Sequence, residues 1–164
     1  MSLPVHLLVH FTLALLVGWV VWKVYGKPLH SFLGAVAGGF FIDLDHILDY
    51  FFAFGFNLYL SQFFKGMQFL KSDKMYLLFH GWEYVLILIV FVIIVKSRAV
   101  KAVLLGLAFG SFVHLCTDIV INEGMSMKGY SIMYRVSNDF EIEYIVTPEH
   151  YEKHMKVKTD TTFK

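Results

Sequence analysis

The chain has 164 residues, a formal net charge of +1, 57% hydrophobic residues and only 16% charged ones, with a mean hydropathy of +0.62. Soluble domains carry about 25% charged residues, so this composition argues against one, and a charge near zero gives no basis for nucleic-acid binding. The single cysteine, Cys116, cannot form an internal disulfide and reads as inert core within an apolar run.

A membrane-crossing helix needs about 20 mostly apolar residues, and four stretches approach that length. Residues 3–22 contain no Asp, Glu, Lys or Arg. They lack a basic leader and an A-x-A-like cleavage site, so they read as mature structure. Residues 28–54 are uncharged until Asp43, and residues 50–64 hold eight aromatic side chains. That density suits an interfacial or partly re-entrant element leading into the long connection 55–74. Residues 75–95 are broken only by Glu83, and residues 102–121 are uncharged until Asp118. After residue 121 the chain turns polar. "YSIMYRV" and "FEIEYIV" alternate around Ser137-Asn138-Asp139 and predict a β-hairpin. The charged tail from Pro148 predicts a short helix and a frayed end. The expected fold is an all-α membrane protein: a four-helix transmembrane bundle with a metal site over residues 1–124, then a small β-hairpin and polar tail over 125–164.

With four spans, one membrane face receives the start of the first, the end of the second, the start of the third and the end of the fourth. The ionisable residues fall at those places: His6 and His10; Asp43, Asp45, His46 and Asp49; His80 and Glu83; His114 and Asp118. The short basic connections, 23–27 and 96–101, fall on the opposite face. Residues three or four apart share a helix face, and each span carries such a pair: His6/His10, Asp43/His46 with Asp45/Asp49, His80/Glu83 and His114/Asp118. Taken singly, His10 could be a packed histidine and Asp49 a headgroup-level helix end. Taken together, the pairs can aim inward and build a metal site in a helical core. Imidazole with carboxylate suits zinc, manganese or iron, and the lack of a cysteine cluster excludes thiolate ligation. One or two divalent ions would relieve the repulsion among the acids.

Other motifs read as structure. His30-Ser31 opens the second stretch, 13 residues or about 20 Å of helix from Asp43. "EHYEKH" lacks the glutamate after its first histidine that a metalloprotease box requires and reads as a solvated tail. Gly106 and Gly110 form a G-x-x-x-G suited to close helix packing.

The strings "LPVHLLVHFTLALLVG", "IDLDH", "FHGWE" and "HLCTD", in that order and spacing, resemble the membrane-bound, predicted metal-dependent hydrolases of bacteria and archaea over about residues 3–124. That family is distantly similar to zinc-dependent phospholipase C, a helical fold with His and Asp ligands on several zinc ions. The resemblance implies that His6 matches the family's N-terminal histidine, and Asp43, Asp45 and His46 its P-D-x-D-H box. His80 matches the third-span histidine, and His114 with Asp118 the closing H-x-x-x-D. Ile42 stands where the family often has proline, and the arginine that commonly precedes its T-H-S motif is missing before Phe79-His80-Gly81.

The expected function is an integral-membrane, metal-dependent hydrolase of the cell (inner) membrane of a bacterium or archaeon. It would cleave a phosphoester bond of a lipid or lipid-linked substrate through metal-activated water. The expected metal ligands are His6, His10, Asp43, Asp45, His46, His80, His114 and Asp118, holding zinc, with manganese or iron as alternatives. Glu83 or Asp49 would take the proton. Two rival readings are a di-iron oxidase, since His80-x-x-Glu83 reverses the Glu-x-x-His of di-iron bundles, and a metal or proton carrier. The basic connections place their own face in the cytoplasm and the donor face outside.

Overall fold

The computed structural model describes residues 3–122 and 124–161. Among them ten α-helices follow one another: α1 (Leu3–Tyr25), α2 (Pro28–Gly39), α3 (Asp45–Phe54), α4 (Leu60–Phe63), α5 (Met67–Ser72), α6 (Trp82–Ile94), α7 (Arg98–Ile121), α8 (Ile132–Ser137), α9 (Ile142–Ile145) and α10 (Pro148–Thr159). Short 3-10 turns occupy Phe41–Leu44 and Met127–Tyr130. The chain forms two compact units, one from residues 1–43 with 79–121 and the other from 44–78 with 122–164.

The four-span bundle is corrected. Two helices, Pro4–Tyr25 and Arg98–Ile121, are long and apolar enough to cross a membrane. A third crossing exists only if Pro28–Gly39 and Phe41–Phe54, bent by 49° at their break, count as one span. The Gly38-Gly39 pair weakens the helix at that point, and Phe40 leaves helical geometry. The expected third span shortens because α6 starts only at Trp82; its 13 residues reach about 20 Å, against about 30 Å of hydrocarbon.

In the first unit α7 packs against α2, α1 and α6, and α1 also packs against α2. Burial is inverted relative to a soluble protein. His10, Ser31, His114 and Asp118 are buried, while Leu8, Leu16, Val20, Leu86, Ile93 and Phe109 are exposed. Such an arrangement puts apolar side chains toward lipid and polar ones inside. Lipid supplies no hydrophobic drive between helices, so small residues that let backbones approach do the work. Along α2 and α7 these are Gly34, Ala35 and Gly38 against Gly106 and Gly110. A Cβ at Gly34 would lie 2.1 Å from the Val103 carbonyl oxygen. Buried Ser31 donates to the Lys27 carbonyl within its own helix (2.9 Å).

The second unit carries its own polar core. α3 packs on α5, and α10 packs on α5 and α9. Tyr50, fully buried, stacks on Phe54, donates to Gln62 Oε1 (3.1 Å) and accepts from the Tyr59 amide (3.2 Å), which ties down the aromatic connection after α3. Arg135 is also fully buried and donates to the carbonyls of Gly129 (3.0 Å) and Leu77 (2.8 Å).

The predicted β-hairpin is replaced by helix. Ser131 caps α8 by accepting from the Tyr134 amide, and Asp139 and Phe140 turn the chain with positive φ. The buried pair Ile142 and Ile145 follows helical spacing in α9. Only two isolated bridges, Lys74 with Glu141 and Met125 with Val146, occur among the described residues. The tail forms α10, with Pro148 at its start, and its expected frayed end at 162–164 lies outside the described residues.

α10 is not a solvated tail. His154 is only 8% exposed, and its Nε2 lies 2.9 Å from Asp73 Oδ1, while Lys158 bonds the other Asp73 oxygen. Burial pushes the Asp73 carboxyl up, but its bonds to His154 and Lys158 outweigh that and hold it below its ordinary value. A carboxyl depressed on folding contributes fully above its unfolded value, about 3.9, and loses the contribution as pH falls through its folded value. α10 should therefore stay docked at neutral pH and loosen only in acid, below about pH 4. Asp73→Asn should loosen it already at pH 7. Hydrogen exchange of residues 148–159 across this range measures both, and a mutant α10 protected like wild type at pH 7 would contradict the account.

Candidate metal centre

The donors of the first unit come from four chain segments. His6 and His10 lie one turn apart on α1, whose buried stripe continues through Ala14, Gly18 and Val21. His114 and Asp118 lie one turn apart on the buried stripe of α7. Asp43 sits in the 3-10 turn that follows the break at Phe40. His80 precedes Gly81, the N-cap of α6, so it is presented by a loop rather than by the helix that the His80/Glu83 spacing predicts.

Four of these side chains converge. His80 Nε2 and His114 Nε2 are 3.2 Å apart, and each lies 3.3 Å from Asp43 Oδ1. Asp118 Oδ2 is 3.3 Å from His114 Nε2 and 3.8 Å from His80 Nε2. Ligands at about 2.0–2.2 Å around a tetrahedral zinc stand about 3.3–3.6 Å apart along each edge. Three of the five spacings, at 3.3 Å, fall in that range, and those of 3.2 and 3.8 Å lie just outside it. The donor atoms all lie within 4.8 Å of one another, and three of the four residues are buried.

A backbone carbonyl orients the cluster. His114 Nδ1 faces the Gly39 carbonyl oxygen at 3.2 Å. A carbonyl can only accept, so Nδ1 carries a proton and Nε2 is the nitrogen that faces the other three donors. The close approach of α2 to α7 puts that carbonyl in reach. Protonating both imidazoles would set two cations 3.2 Å apart, so a cation between the nitrogens and the carboxylates balances charge better than two extra protons. Buried His/Asp clusters of this kind could hold a metal ion.

Asp118 is shared. Its other oxygen, Oδ1, lies 3.1 Å from His10 Nε2 and 3.8 Å from His6 Nε2, which makes His6, His10 and Asp118 a second donor group. The partly exposed members are Asp43 and His6, with side chains 19% and 17% exposed, so the cluster opens toward them.

Of the remaining expected site residues, Asp45, His46 and Asp49 belong to the second unit. Asp45 is buried in the first turn of α3, where a negative charge suits the helix dipole. His46 meets the Phe69 ring edge-on at 5.9 Å. Asp49 accepts the backbone amides of Tyr76 (2.8 Å) and Leu77 (3.1 Å), a structural use of both its oxygens. Glu83 is half-buried in the first turn of α6 and stands outside both donor groups of the first unit. One contributor that the spacing of ionisable residues does not reveal is the Gly39 carbonyl; the small-residue run before Asp43, beside the G-x-x-x-G of α7, is the signal for it.

In comparisons with known proteins, no family model, no curated protein and no solved structure matches the chain.

Proposed function

We propose that this protein is an integral-membrane, metal-dependent hydrolase that cleaves a phosphoester bond of a lipid or lipid-linked substrate. The observation that supports this reading is the largely buried Asp43, His80, His114 and Asp118 cluster, its donor atoms within 4.8 Å of one another, among helices whose outer surfaces are apolar. Two nitrogen and two oxygen donors suit zinc, with manganese or iron as the next candidates. Bound there, a divalent ion supplies a Lewis acid for a phosphoryl oxygen and makes water a better nucleophile near neutral pH.

The chain's own groups do the rest. Gly39 holds His114 in one tautomer, and Asp43 and Asp118 balance the positive charge. Glu83 is the proton acceptor: it stands three residues from His80, with its Oε2 beside Gly81, in the first turn of α6. The opening at Asp43 and His6 admits the substrate headgroup, while the lipid-facing surfaces of α1 and α7 keep its tails in the bilayer.

A panel of phosphomonoesters and phosphodiesters, lipid and soluble, tests the reading on purified protein loaded with zinc. Turnover of a lipid phosphoester is expected, and Glu83→Gln should retain bound zinc while losing about 10²–10⁴-fold in rate. No hydrolysis of any member by the zinc-loaded protein would defeat it. Iron-loaded protein with a visible absorption band would turn the assignment toward an oxidase.

A further inference from the structure

The two oxygens of Asp118 face different histidines. Oδ2 looks to His114 and His80, and Oδ1 to His10 and His6. Oδ1 and both ring nitrogens of His10 are buried, and none has a hydrogen-bond partner, although Oδ1 and Nε2 are only 3.1 Å apart. Buried polar atoms are normally satisfied, and this group of three sits together in one place. The His6 ring lies 4.3 Å from that of His10, so two imidazoles flank the same carboxylate oxygen. A cation held by His6, His10 Nε2 and Asp118 Oδ1 would satisfy that nitrogen and that oxygen at once.

We infer that the centre is dinuclear, with Asp118 bridging one divalent ion at Asp43, His80 and His114 and a second at His6 and His10. The inference rests on the reading of the first cluster as a metal site. The two positions differ in kind. The first has four protein donors, whereas the second has three and keeps a place for water or for a substrate oxygen, as catalytic sites do. His6, partly exposed, puts the second ion nearer the opening, so that ion should leave first under a chelator.

The experiment is metal stoichiometry on the full chain in detergent, reloaded with Mn(II) and passed through gel filtration, read alongside the electron paramagnetic resonance spectrum. Two ions per chain and a spin-coupled spectrum are expected for wild type. His10→Gln and His6→Ala should each bind one ion with an uncoupled spectrum; the second variant, at a partly exposed position, covers the case in which the first does not fold. One uncoupled ion in wild type, or two coupled ions in both variants, would overturn the dinuclear assignment while leaving the first site intact. Wild-type protein that binds no ion would overturn both. Two coupled ions in a protein inactive on every phosphoester would support the centre and sink only the hydrolase reading.

Discussion

Alanine at His114 should leave the protein without an ion at the four-donor cluster and without phosphoester turnover. Its Nε2 lies within 3.2–3.3 Å of His80, Asp43 and Asp118, more of the cluster's short spacings than any other donor makes. Removing it leaves two carboxylates facing a single imidazole, with the Gly39 carbonyl deprived of its donor. Losing an outer-shell partner of a metal ligand costs about 10–100-fold in affinity, so losing the ligand itself should exceed about 100-fold. A competition titration of zinc against a chromophoric chelator measures this. Wild-type zinc affinity in His114→Ala would reduce the cluster to a hydrogen-bonded core.

The second large effect is remote from the donors. Gly34→Ala should lower the unfolding temperature in detergent and weaken zinc binding together. The added Cβ would meet the Val103 carbonyl oxygen at 2.1 Å, and the same substitution at Gly38 would meet the Leu107 carbonyl oxygen at 2.2 Å. Both obstacles are backbone atoms of α7, so no side-chain rotation relieves them and α2 must move as a whole. Overpacking of this kind costs about 1–3 kcal/mol. Any shift of α2 also carries the Gly39 carbonyl away from His114 Nδ1, which is why affinity should fall with stability. Gly26→Asn is the control, since nothing lies within 4 Å of its Cβ position and asparagine tolerates the positive φ found there. Gly34→Ala unfolding at the wild-type temperature would contradict the close seam.

The sequence was most informative where chemistry and helix period coincide. His6/His10 and His114/Asp118 sit on unbroken helices, so their four-residue spacing translates directly into two stripes that meet. At the helix break it was less so. The pairs Asp43/His46 and Asp45/Asp49 read as parts of one continuous span, but Phe40 departs from the helix and Asp43 sits in a 3-10 turn ahead of α3. Asp43 therefore belongs to one unit and the other three to its neighbour in sequence. The supposed hairpin failed for another reason. Alternation of apolar and polar residues looked like strand, whereas buried Arg135 and the cap at Ser131 favour helix, and the Ile142/Ile145 spacing was the overlooked sign. The third span failed because the amides of Tyr76 and Leu77 are committed to Asp49, a contact between residues far apart in the chain.

The two units alternate along the polypeptide, 1–43, 44–78, 79–121 and 122–164, and this interleaving governs the order in which the protein can be completed during synthesis. Domains generally fold as units as the chain emerges, yet residues 44–78 must wait for 122–164 before Leu77 can meet Arg135 or Asp73 can meet His154. The donors at His6, His10 and Asp43 likewise wait for His80, His114 and Asp118. The donor cluster thus becomes complete at residue 118, while the other unit still lacks its second half. A chain stopped at residue 121 would carry every donor of the site and a stranded segment of its neighbour. Neither unit can be separated from the other by a single cut.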